Sequence, residues 1–408
     1  MMEDFKFRLC FSGGGFRATF FCLGAYRRLV ELGLHERITC ISSVSGGSIA
    51  AGQTLNALSD SRFKSVEDFD ERVTMPLINI GQCRLRNRLM MKALYPASPR
   101  HRFSKWFPIM LDDYLFNGKT FGQLPLHPEW SVNTTCLHTG KRFRFKQTDM
   151  GGNKIGVTKS VSNIRLSFAV ASSAGYPMMF APTYLNVKGM SFYKKWWTDD
   201  PVINNDPLPD RLPLSDGGVY DNLGTEAILN YNEPFVTVDA SGFLEVWPYD
   251  SKPNWFSINW RPLDTGLEQI VLLRRRLIYQ HSEKVRGVQL ILRDPVQQLI
   301  NQPERYGALS NQSLDLPDYD LMAVDHQKLL GRLRTDLDGF HDIEIKGLIW
   351  AGSVRIDIAV KLYLQNIIDP RLITKTPKPP NFRNARIDSI LEKGSNRRYL
   401  SLLHKTLH

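Results

Sequence analysis

The sequence predicts an α/β protein whose central, mostly parallel sheet is covered by helices. Short apolar runs with a strand-like pattern alternate with longer runs of helical periodicity, and glycine-rich turns separate the two. Alternating strands and helices are typical of βαβ units, in which the strands run parallel. With 408 residues, the chain is also long enough to bury a large core.

The first part of the chain predicts a strand, helix, strand and helix in that order. Residues 5–11 alternate as a strand does, "SGGG" interrupts the pattern, and a helical run follows that we expect to stop at Gly33. "ITCISSV" predicts a short buried strand, and "SIAAGQTLNAL" predicts a helix after a second tight turn. A strand, a glycine turn and a helix therefore occur twice in succession.

The rest of the chain divides by composition and periodicity. Residues 60–129 are basic, aromatic and weakly periodic, and we expect an insertion over the sheet edge. Two strands joined by a turn are predicted over 130–147, a helix ending at Pro177 over 164–177, and a buried strand at "PFVTVDASG". We expect a main α/β domain over 5–242, a helical extension packed on it over 243–374, and a linker with a basic terminal helix over 375–408.

Charge and composition limit the class of protein. The formal net charge of +11 favours acidic partners, which include nucleic acid, anionic lipid and acidic substrates, and charge alone does not choose among them. No run is apolar and long enough to cross a bilayer, and no secretory segment is recognised. The five cysteines show no CxxC spacing. We therefore expect a cytoplasmic protein with reduced cysteines and with neither a metal nor another cofactor.

The stretch "SSVSGG", residues 42–47, almost matches the GxSxG pattern of a nucleophile elbow, in which a serine sits on a tight turn between a strand and a helix. Ser45 would be the nucleophile, and Ser43 stands where the pattern has its first glycine. A small-residue turn without any catalytic role is the more common explanation of such an isolated match.

A second glycine-rich turn, "SGGGFR" over residues 12–17, could bind a negatively charged oxygen. The backbone N–H groups of Gly13, Gly14 and Gly15 at the start of a helix would serve as an oxyanion hole or as a phosphate site. The sequence has neither the lysine of GxxxxGK[ST] nor GxGxxG here, which disfavours the nucleotide alternative. A third explanation is a glycine turn that only lets the helix pack closely on the sheet.

The third turn is "DGGVYDNLG", which begins at Asp216. Alone it indicates a turn, but loops at the carboxyl ends of neighbouring parallel strands meet in one crevice, so Asp216 is a candidate base for Ser45. An α/β-hydrolase would instead use a histidine base in the order Ser, Asp, His, and His341, one of nine histidines, could formally complete that order. Ser45 follows the second strand, which is too early in the chain for the elbow of an α/β-hydrolase. We therefore expect His341 to be a polar surface residue.

The motifs "SGGGFRA", "SVSGGS" and "DGGVYDNLG", in this order and with "AVASSAGYPMMFAP" before the last, resemble the patatin-like phospholipases and the related cytosolic phospholipases. The resemblance runs from about Lys6 to Gly242. It implies a three-layer α/β/α fold and a serine acyl hydrolase of phospholipids or related acyl esters, acting through an acyl-enzyme intermediate. The residues that it implies are the nucleophile Ser45, the base Asp216, the oxyanion loop Gly13, Gly14 and Gly15, and the substrate contacts Arg17, Gly46 and Gly217.

For Arg17, exposure to solvent without any role in binding is an equally good expectation. Two alternatives to the hydrolase also remain open: a nucleotide- or phosphate-binding signalling module that uses "SGGG", and a catalytically silent basic interaction protein. A lipid hydrolase without a membrane span needs a basic, aromatic surface to reach its substrate. We therefore expect peripheral contact with an anionic membrane and no nucleic acid partner. The sequence does not indicate the oligomeric state.

The candidates for membrane contact are basic and aromatic residues of the insertion and of "FYKKWWTDD": Arg84, Arg86, Arg88, Lys92, Trp106, Phe107, Lys194, Lys195, Trp196 and Trp197.

Overall fold

The computed structural model describes residues 5–93, 102–177, 180–195, 208–247, 252–307, 316–363, 371, 374–380 and 387–396. Helices flank one large sheet, which confirms the expected α/β class. The strands are Phe7–Phe11 (β1), Ile38–Val44 (β2), Glu129–Cys136 (β3), Lys141–Phe145 (β4), Met150–Gly152 (β5), Gly156–Thr158 (β6), Thr183–Asn186 (β7), Arg211–Asp216 (β8), Phe235–Asp239 (β9) and Gly287–Ile291 (β10).

The helices of the described residues are Gly15–Glu31 (α1), Gly46–Leu58 (α2), Val66–Phe69 (α3), Met75–Gln82 (α4), Leu85–Ala93 (α5), Arg102–Leu111 (α6), Leu166–Ser173 (α7), Gly218–Asp221 (α8), Glu226–Leu229 (α9), Trp255–Ser282 (α10), Val296–Asn301 (α11), Val324–Gly331 (α12), Asp342–Tyr363 (α13) and Ile387–Asn396 (α14). Short 3-10 turns lie at His35–Arg37, Phe121–Gln123 and Pro303–Arg305, and π-helical turns lie at Asp70–Thr74 and Asp112–Phe116.

The centre of the sheet is parallel and one side of it is antiparallel. Strands β10, β9, β1, β2 and β3 lie in this order and run parallel. Strands β4, β5 and β6 continue the sheet beyond β3 as an antiparallel meander. The predicted β1, α1, β2, α2 succession is found, and α1 ends shortly before Gly33, which adopts a left-handed φ of 67°. Helix α7 ends at Ser173, four positions earlier than the expected end at Pro177.

Strand β3 brings the ends of two other strands together. On one edge, Asn133 pairs with Val44, the last residue of β2. On that same edge, the next residue, Thr134, pairs with Asp216, the last residue of the antiparallel β8. Strands β2 and β8 therefore point at each other along β3. The expectation that the "DGG" loop follows a parallel strand is wrong, because β8 approaches from the opposite direction.

The region after residue 242 completes the sheet and the core. Strand β10 pairs with β9, and α13 packs along α1 so closely that backbone touches backbone. A β-carbon on Gly24 would come within 1.9 Å of the Ile349 carbonyl oxygen, and one on Gly352 within 2.0 Å of the Phe21 carbonyl oxygen. Helix α14 packs on α12 and α13, whereas the end of the predicted basic terminal segment, residues 397–408, lies outside the described residues.

Candidate active site

Ser45 occupies a strained turn between β2 and α2. Its φ of 51° and ψ of −120° are unusual for a residue with a side chain, and among the described non-glycine residues only Asn117 shares a positive φ. Such a conformation costs about 1–3 kcal/mol and persists only where the surroundings enforce it. The Ser45 N–H donates to the Ser173 hydroxyl at 3.0 Å, which ties the turn to the end of α7. The side chain stays 8% exposed at the surface of the site.

Ser43 lies beneath this turn in a network of hydroxyl groups. Its side chain is fully buried, and its hydroxyl accepts hydrogen bonds from Trp130 Nε1 at 2.9 Å and from the Ser48 hydroxyl at 3.0 Å. Ser48 also lies 2.9 Å from the Ser173 hydroxyl, which donates to the Asn133 carbonyl at 2.7 Å. The serine that replaces the first glycine of the elbow pattern thus has its own polar pocket, and its side chain helps to fix the turn.

Asp216 ends β8 and faces Ser45. Its carboxylate is 5% exposed and accepts the Gly218 N–H at 2.7 Å, and the Ser45 side chain lies within reach as a second hydrogen-bond donor. Burial raises the pKa of Asp216 from 3.8 to about 7, although both hydrogen bonds act to lower it. The predicted nucleophile and the predicted base therefore lie side by side, at the ends of β2 and β8.

The glycine loop, residues 12–15, lies against the elbow. Gly14 and Gly15 have φ values of 137° and 56°, which glycine adopts without strain. Among the described residues, their N–H groups have no hydrogen-bond partner. The Gly13 N–H instead donates to the Asn222 carbonyl at 2.9 Å. The expectation that Gly13 donates to an oxyanion is therefore wrong, because its donor is already paired, and Gly14 and Gly15 remain available.

Gly46 and Gly217 have packing reasons to lack a side chain. A β-carbon on Gly46 would come within 1.9 Å of the Gly15 carbonyl oxygen, so the elbow and the glycine loop are in backbone contact. The Thr19 hydroxyl joins them further, donating to Gly46 O at 2.8 Å and to Gly15 O at 3.2 Å. A β-carbon on Gly217 would come within 2.3 Å of the Asn133 carbonyl oxygen. Among the described residues, the Gly46 N–H is also without a partner and points from the start of α2.

Arg17 was expected either to contact the substrate or to be exposed to solvent, and the structure places it in neither position. Its side chain is buried and donates to the carbonyl groups of Gly331, Leu333 and Ala240 at 3.2, 2.7 and 2.7 Å. Burial lowers the pKa of Arg17 to about 10. The expected roles in substrate binding or at the solvent surface are wrong, because the guanidinium is enclosed and holds the extension onto α1.

Several candidates for membrane contact are also placed differently. Arg86 and Phe107 are buried, so their expected contact with a membrane is wrong. Arg84, Arg88 and Lys194 are exposed. Trp106 is half-buried against the core, and Lys195 is paired with Asp149 at 3.0 Å. The Lys92 side chain, Trp196 and Trp197 lie outside the described residues.

His341 is exposed, and its Nδ1 accepts the Ile343 N–H at the start of α13. The part of the chain that the structure describes holds no cluster of three or more His, Cys, Asp or Glu residues able to bind a metal ion. In the same part of the chain, no helix combines the length and the apolar character that crossing a bilayer requires.

The glycine loop follows β1, the elbow follows β2, and the "DGG" loop follows β8, so the candidate site is built at the ends of three strands. The model of the patatin-like phospholipase family matches residues 9–229, which contain the glycine loop, the elbow and the "DGG" loop. The chain belongs to the patatin-like phospholipase family.

Solved structures with a similar fold share little sequence with the chain. Human GIVD cytosolic phospholipase A2 is 12% identical with a TM-score of 0.49, and the match covers 88% of this chain and 59% of that one. The same enzyme in complex with methyl gamma-linolenyl fluorophosphonate is 14% identical with a TM-score of 0.45, covering 90% and 59%. VipD from Legionella pneumophila is 13% identical with a TM-score of 0.31, covering 57% and 50%.

The chain thus matches 59% of the length of the human enzyme. Identities and TM-scores of this size do not indicate that the chain acts on the same substrate as these proteins. A comparison with curated protein sequences found no match.

Proposed function

We propose that the chain is a serine acyl hydrolase that cleaves the acyl esters of phospholipids or related lipids, with Ser45 as nucleophile and Asp216 as general base. The observation that carries the proposal is the placement of Ser45, on a strained turn at the end of β2, within reach of the buried Asp216 at the end of β8, whose pKa is about 7. A base with a pKa near the working pH is half ionised there and still accepts a proton effectively.

In the first step of this mechanism, the Ser45 oxygen attacks the ester carbonyl carbon while its proton moves to Asp216. The carbonyl oxygen becomes an oxyanion, for which the unpaired N–H groups of Gly14 and Gly15 are suitable donors. When the tetrahedral intermediate collapses, the bond to the alcohol oxygen breaks and Asp216 gives its proton to that oxygen. The acyl group is then bound to Ser45 as an ester, and the deacylated lipid leaves.

In the second step, water attacks the acyl-enzyme and gives a proton to Asp216. The new intermediate collapses with loss of the Ser45 oxygen, which takes the proton back from Asp216, and the fatty acid leaves. Both half-reactions use the same base and the same donors. The closeness of the two side chains supports a dyad in which no histidine is needed to carry the proton.

The proposal is tested by labelling with a long-chain alkyl fluorophosphonate, which phosphonylates an activated serine. We expect the wild type to label stoichiometrically, and Ser45→Ala and Asp216→Ala to lose roughly 10³-fold or more in labelling rate and in hydrolysis of phospholipid vesicles. Ser61→Ala, at a serine outside the site, is the matched control. An unlabelled wild type, or a Ser45→Ala protein that labels at the wild-type rate, would falsify the proposal.

The same experiment separates the hydrolase from the two alternatives. A catalytically silent interaction protein would not label. A nucleotide- or phosphate-binding module would be protected from labelling by millimolar inorganic phosphate or ATP, and would release no fatty acid. The pairing of the Gly13 N–H with Asn222 weakens the phosphate alternative, since it removes one of the three donors on which that alternative depends.

We further propose that the protein meets its lipid at a membrane surface through the first half of α10. Trp255 lies about one turn before Ile258 and just over two turns before Leu263 on this helix, and the three side chains are 77%, 51% and 37% exposed. A stripe of exposed apolar side chains at helical spacing is typical of surfaces that bind other molecules or membranes. The net charge of +11 supports an anionic lipid surface as the partner.

Tyr176 connects this helix to the candidate active site. Burial, together with the nearby carboxylates of Asp264 and Asp216, raises the pKa of Tyr176 to about 12. Trp260 donates a hydrogen bond to the Tyr176 hydroxyl. Because Trp260 and Asp264 belong to the same half of α10 as the exposed stripe, a lipid taken up there would enter beside Asp216.

The membrane proposal is tested with the double variant Trp255→Ser/Ile258→Ser. We expect about tenfold lower hydrolysis of anionic vesicles and an unchanged rate on a short-chain, water-soluble ester. Leu126→Ser, at a 64% exposed residue remote from α10, is the matched control. Equal losses on both substrates, or equal losses in the control, would contradict the role of the stripe.

A further inference from the structure

The glycine loop rests on a turn from the far end of the chain. Residues 331–340, which we call the bracing turn, connect α12 to α13. The Asp336 carbonyl accepts the Phe16 N–H at 3.0 Å. A β-carbon on Gly15 would come within 2.4 Å of that same oxygen and within 2.6 Å of the Thr335 carbonyl carbon. The bracing turn and the glycine loop are therefore in direct backbone contact.

This contact determines which donors of the glycine loop are used and which stay free. The first N–H groups of a helix have no partner within the helix. At the start of α1, the bracing turn takes up the Phe16 N–H, and within the described part of the chain the N–H groups of Gly14 and Gly15 stay unpaired. The peptide that carries the Asp336 carbonyl thus limits the directions that the two preceding N–H groups can adopt.

The Asp336 side chain holds this peptide between two cations. Its carboxylate is 2% exposed and pairs with Arg86 at 2.8 Å and with Arg334 at 3.4 Å. The second Arg86 nitrogen pairs with Asp338 at 2.9 Å, and Arg334 also pairs with Glu344 at 2.7 Å. Charge-assisted, two-pronged arginine contacts fix geometry as well as adding energy. The insertion and the extension therefore meet at one buried carboxylate.

We propose that Asp336 is a positioning residue that, clamped by Arg86 and Arg334, holds the glycine loop in the conformation that directs the Gly14 and Gly15 N–H groups at the oxyanion. The proposal rests on the proposed acyl hydrolase function. It assigns to the region beyond residue 229, where the family match ends, a part in the chemistry of the site. Losing a single oxyanion donor typically lowers kcat by 10²- to 10³-fold. If the Gly14 and Gly15 N–H groups are both kept but point in the wrong direction, kcat should fall by a smaller factor.

The test is Asp336→Asn in the full chain, with kcat expressed per Ser45 that a fluorophosphonate labels at saturation. Counting labelled sites removes any effect of a smaller folded fraction. We expect kcat per site to fall 10- to 100-fold, KM to stay within about twofold, and the pH midpoint of activity to stay near 7, because the Ser45 and Asp216 contact is untouched. If Asp336→Asn does not fold, Arg86→Lys makes the same test, since an ammonium cannot bridge both carboxylates.

The matched control is Asp149→Asn. Asp149 is also a buried carboxylate between two cations, Arg144 at 3.1 Å and Lys195 at 3.0 Å, and none of these contacts involves the glycine loop. A kcat per site within twofold of wild type in Asp336→Asn, or an equal loss in Asp149→Asn, overturns the inference while the hydrolase proposal stands. A wild type without esterase activity overturns both.

Discussion

Neutralising Asp216 should stabilise the protein, and the gain should grow with pH. The pKa of this buried carboxyl is about 7, against an ordinary value of 3.8. A carboxyl whose pKa is raised in the folded state contributes its full stability below the unfolded pKa and loses that contribution as pH rises through the folded pKa. Ionised Asp216 therefore weakens the folded state at neutral and alkaline pH.

The size of the effect follows from the two pKa values. One pKa unit corresponds to about 1.4 kcal/mol, so the cost of ionising Asp216 reaches about 4 kcal/mol above pH 8. At pH 5, where the unfolded carboxyl is already ionised and the folded one is still protonated, the cost is about 2 kcal/mol. Asp216→Asn carries no such cost, and its amide oxygen can still accept the Gly218 N–H.

The assay is urea unfolding of the wild type and Asp216→Asn at pH 5, 7 and 9. We expect the difference in the free energy of unfolding, variant minus wild type, to increase by about 2 to 3 kcal/mol from pH 5 to pH 9. Ser45→Ala provides a second arm: the Ser45 hydrogen bond lowers the Asp216 pKa, so its loss should raise that pKa and increase the cost at pH 9. A difference independent of pH would refute the reasoning.

The ionisation of Asp216, which lowers the stability of the fold, should raise the catalytic rate. Only ionised Asp216 can accept the Ser45 proton, so kcat/KM should rise with pH, with slope one on logarithmic axes, and level off above about pH 7. The loss of stability therefore begins near pH 4 and is complete above about pH 7, where the dyad becomes fully active. A profile that levels off near pH 4 would show that the carboxyl has its ordinary pKa.

Three further substitutions test the supports of the site. Ser43→Gly restores the usual elbow pattern but leaves the buried Trp130 Nε1 without its partner, and we expect about 1–3 kcal/mol lower stability in urea unfolding rather than faster hydrolysis. Gly46→Ala places a β-carbon against the Gly15 carbonyl and should lower kcat at least 10²-fold, measured per labelled site. In Arg17→Lys the ammonium cannot reach all three carbonyl partners of the guanidinium, so we expect a lower melting temperature. The ratio of KM values for anionic and neutral lipids should not change. A change in that ratio with an unchanged melting temperature would show that Arg17 contacts the substrate after all.

Local patterns were sufficient to predict the first half of the site. The strand over Ile38–Val44 and the helices that begin at Gly15 and Gly46 follow from apolar periodicity broken by glycines, which act over a few residues. Ser45 and Asp216 were linked by the order of motifs, and their contact agrees with that link. The direction of β8 was not predictable, because a parallel and an antiparallel strand of six residues have the same local pattern.

Long-range contacts account for what the sequence did not indicate. Arg17 reads as a surface residue because it is charged, yet its acceptors lie more than 200 positions away along the chain. Arg86 likewise appears in a basic, apparently solvated stretch, and only the fold shows that Asp336 neutralises it. The Gly13 N–H is lost as a donor because Asn222, from another loop, accepts it. Charge and spacing alone do not indicate which polar groups pair across the fold.

The serine at the first position of the elbow can now be interpreted physically. Glycine would be needed there if backbone from another element occupied the space of a β-carbon, as it does at Gly46. At Ser43 that space instead holds a hydroxyl that accepts from Trp130 and Ser48, and Ser48 continues the network to Ser173, the acceptor of the Ser45 N–H. The hydrogen bonds of this hydroxyl network, together with close packing, therefore hold Ser45 at its strained φ. The departure from the pattern replaces one means of directing the nucleophile with another.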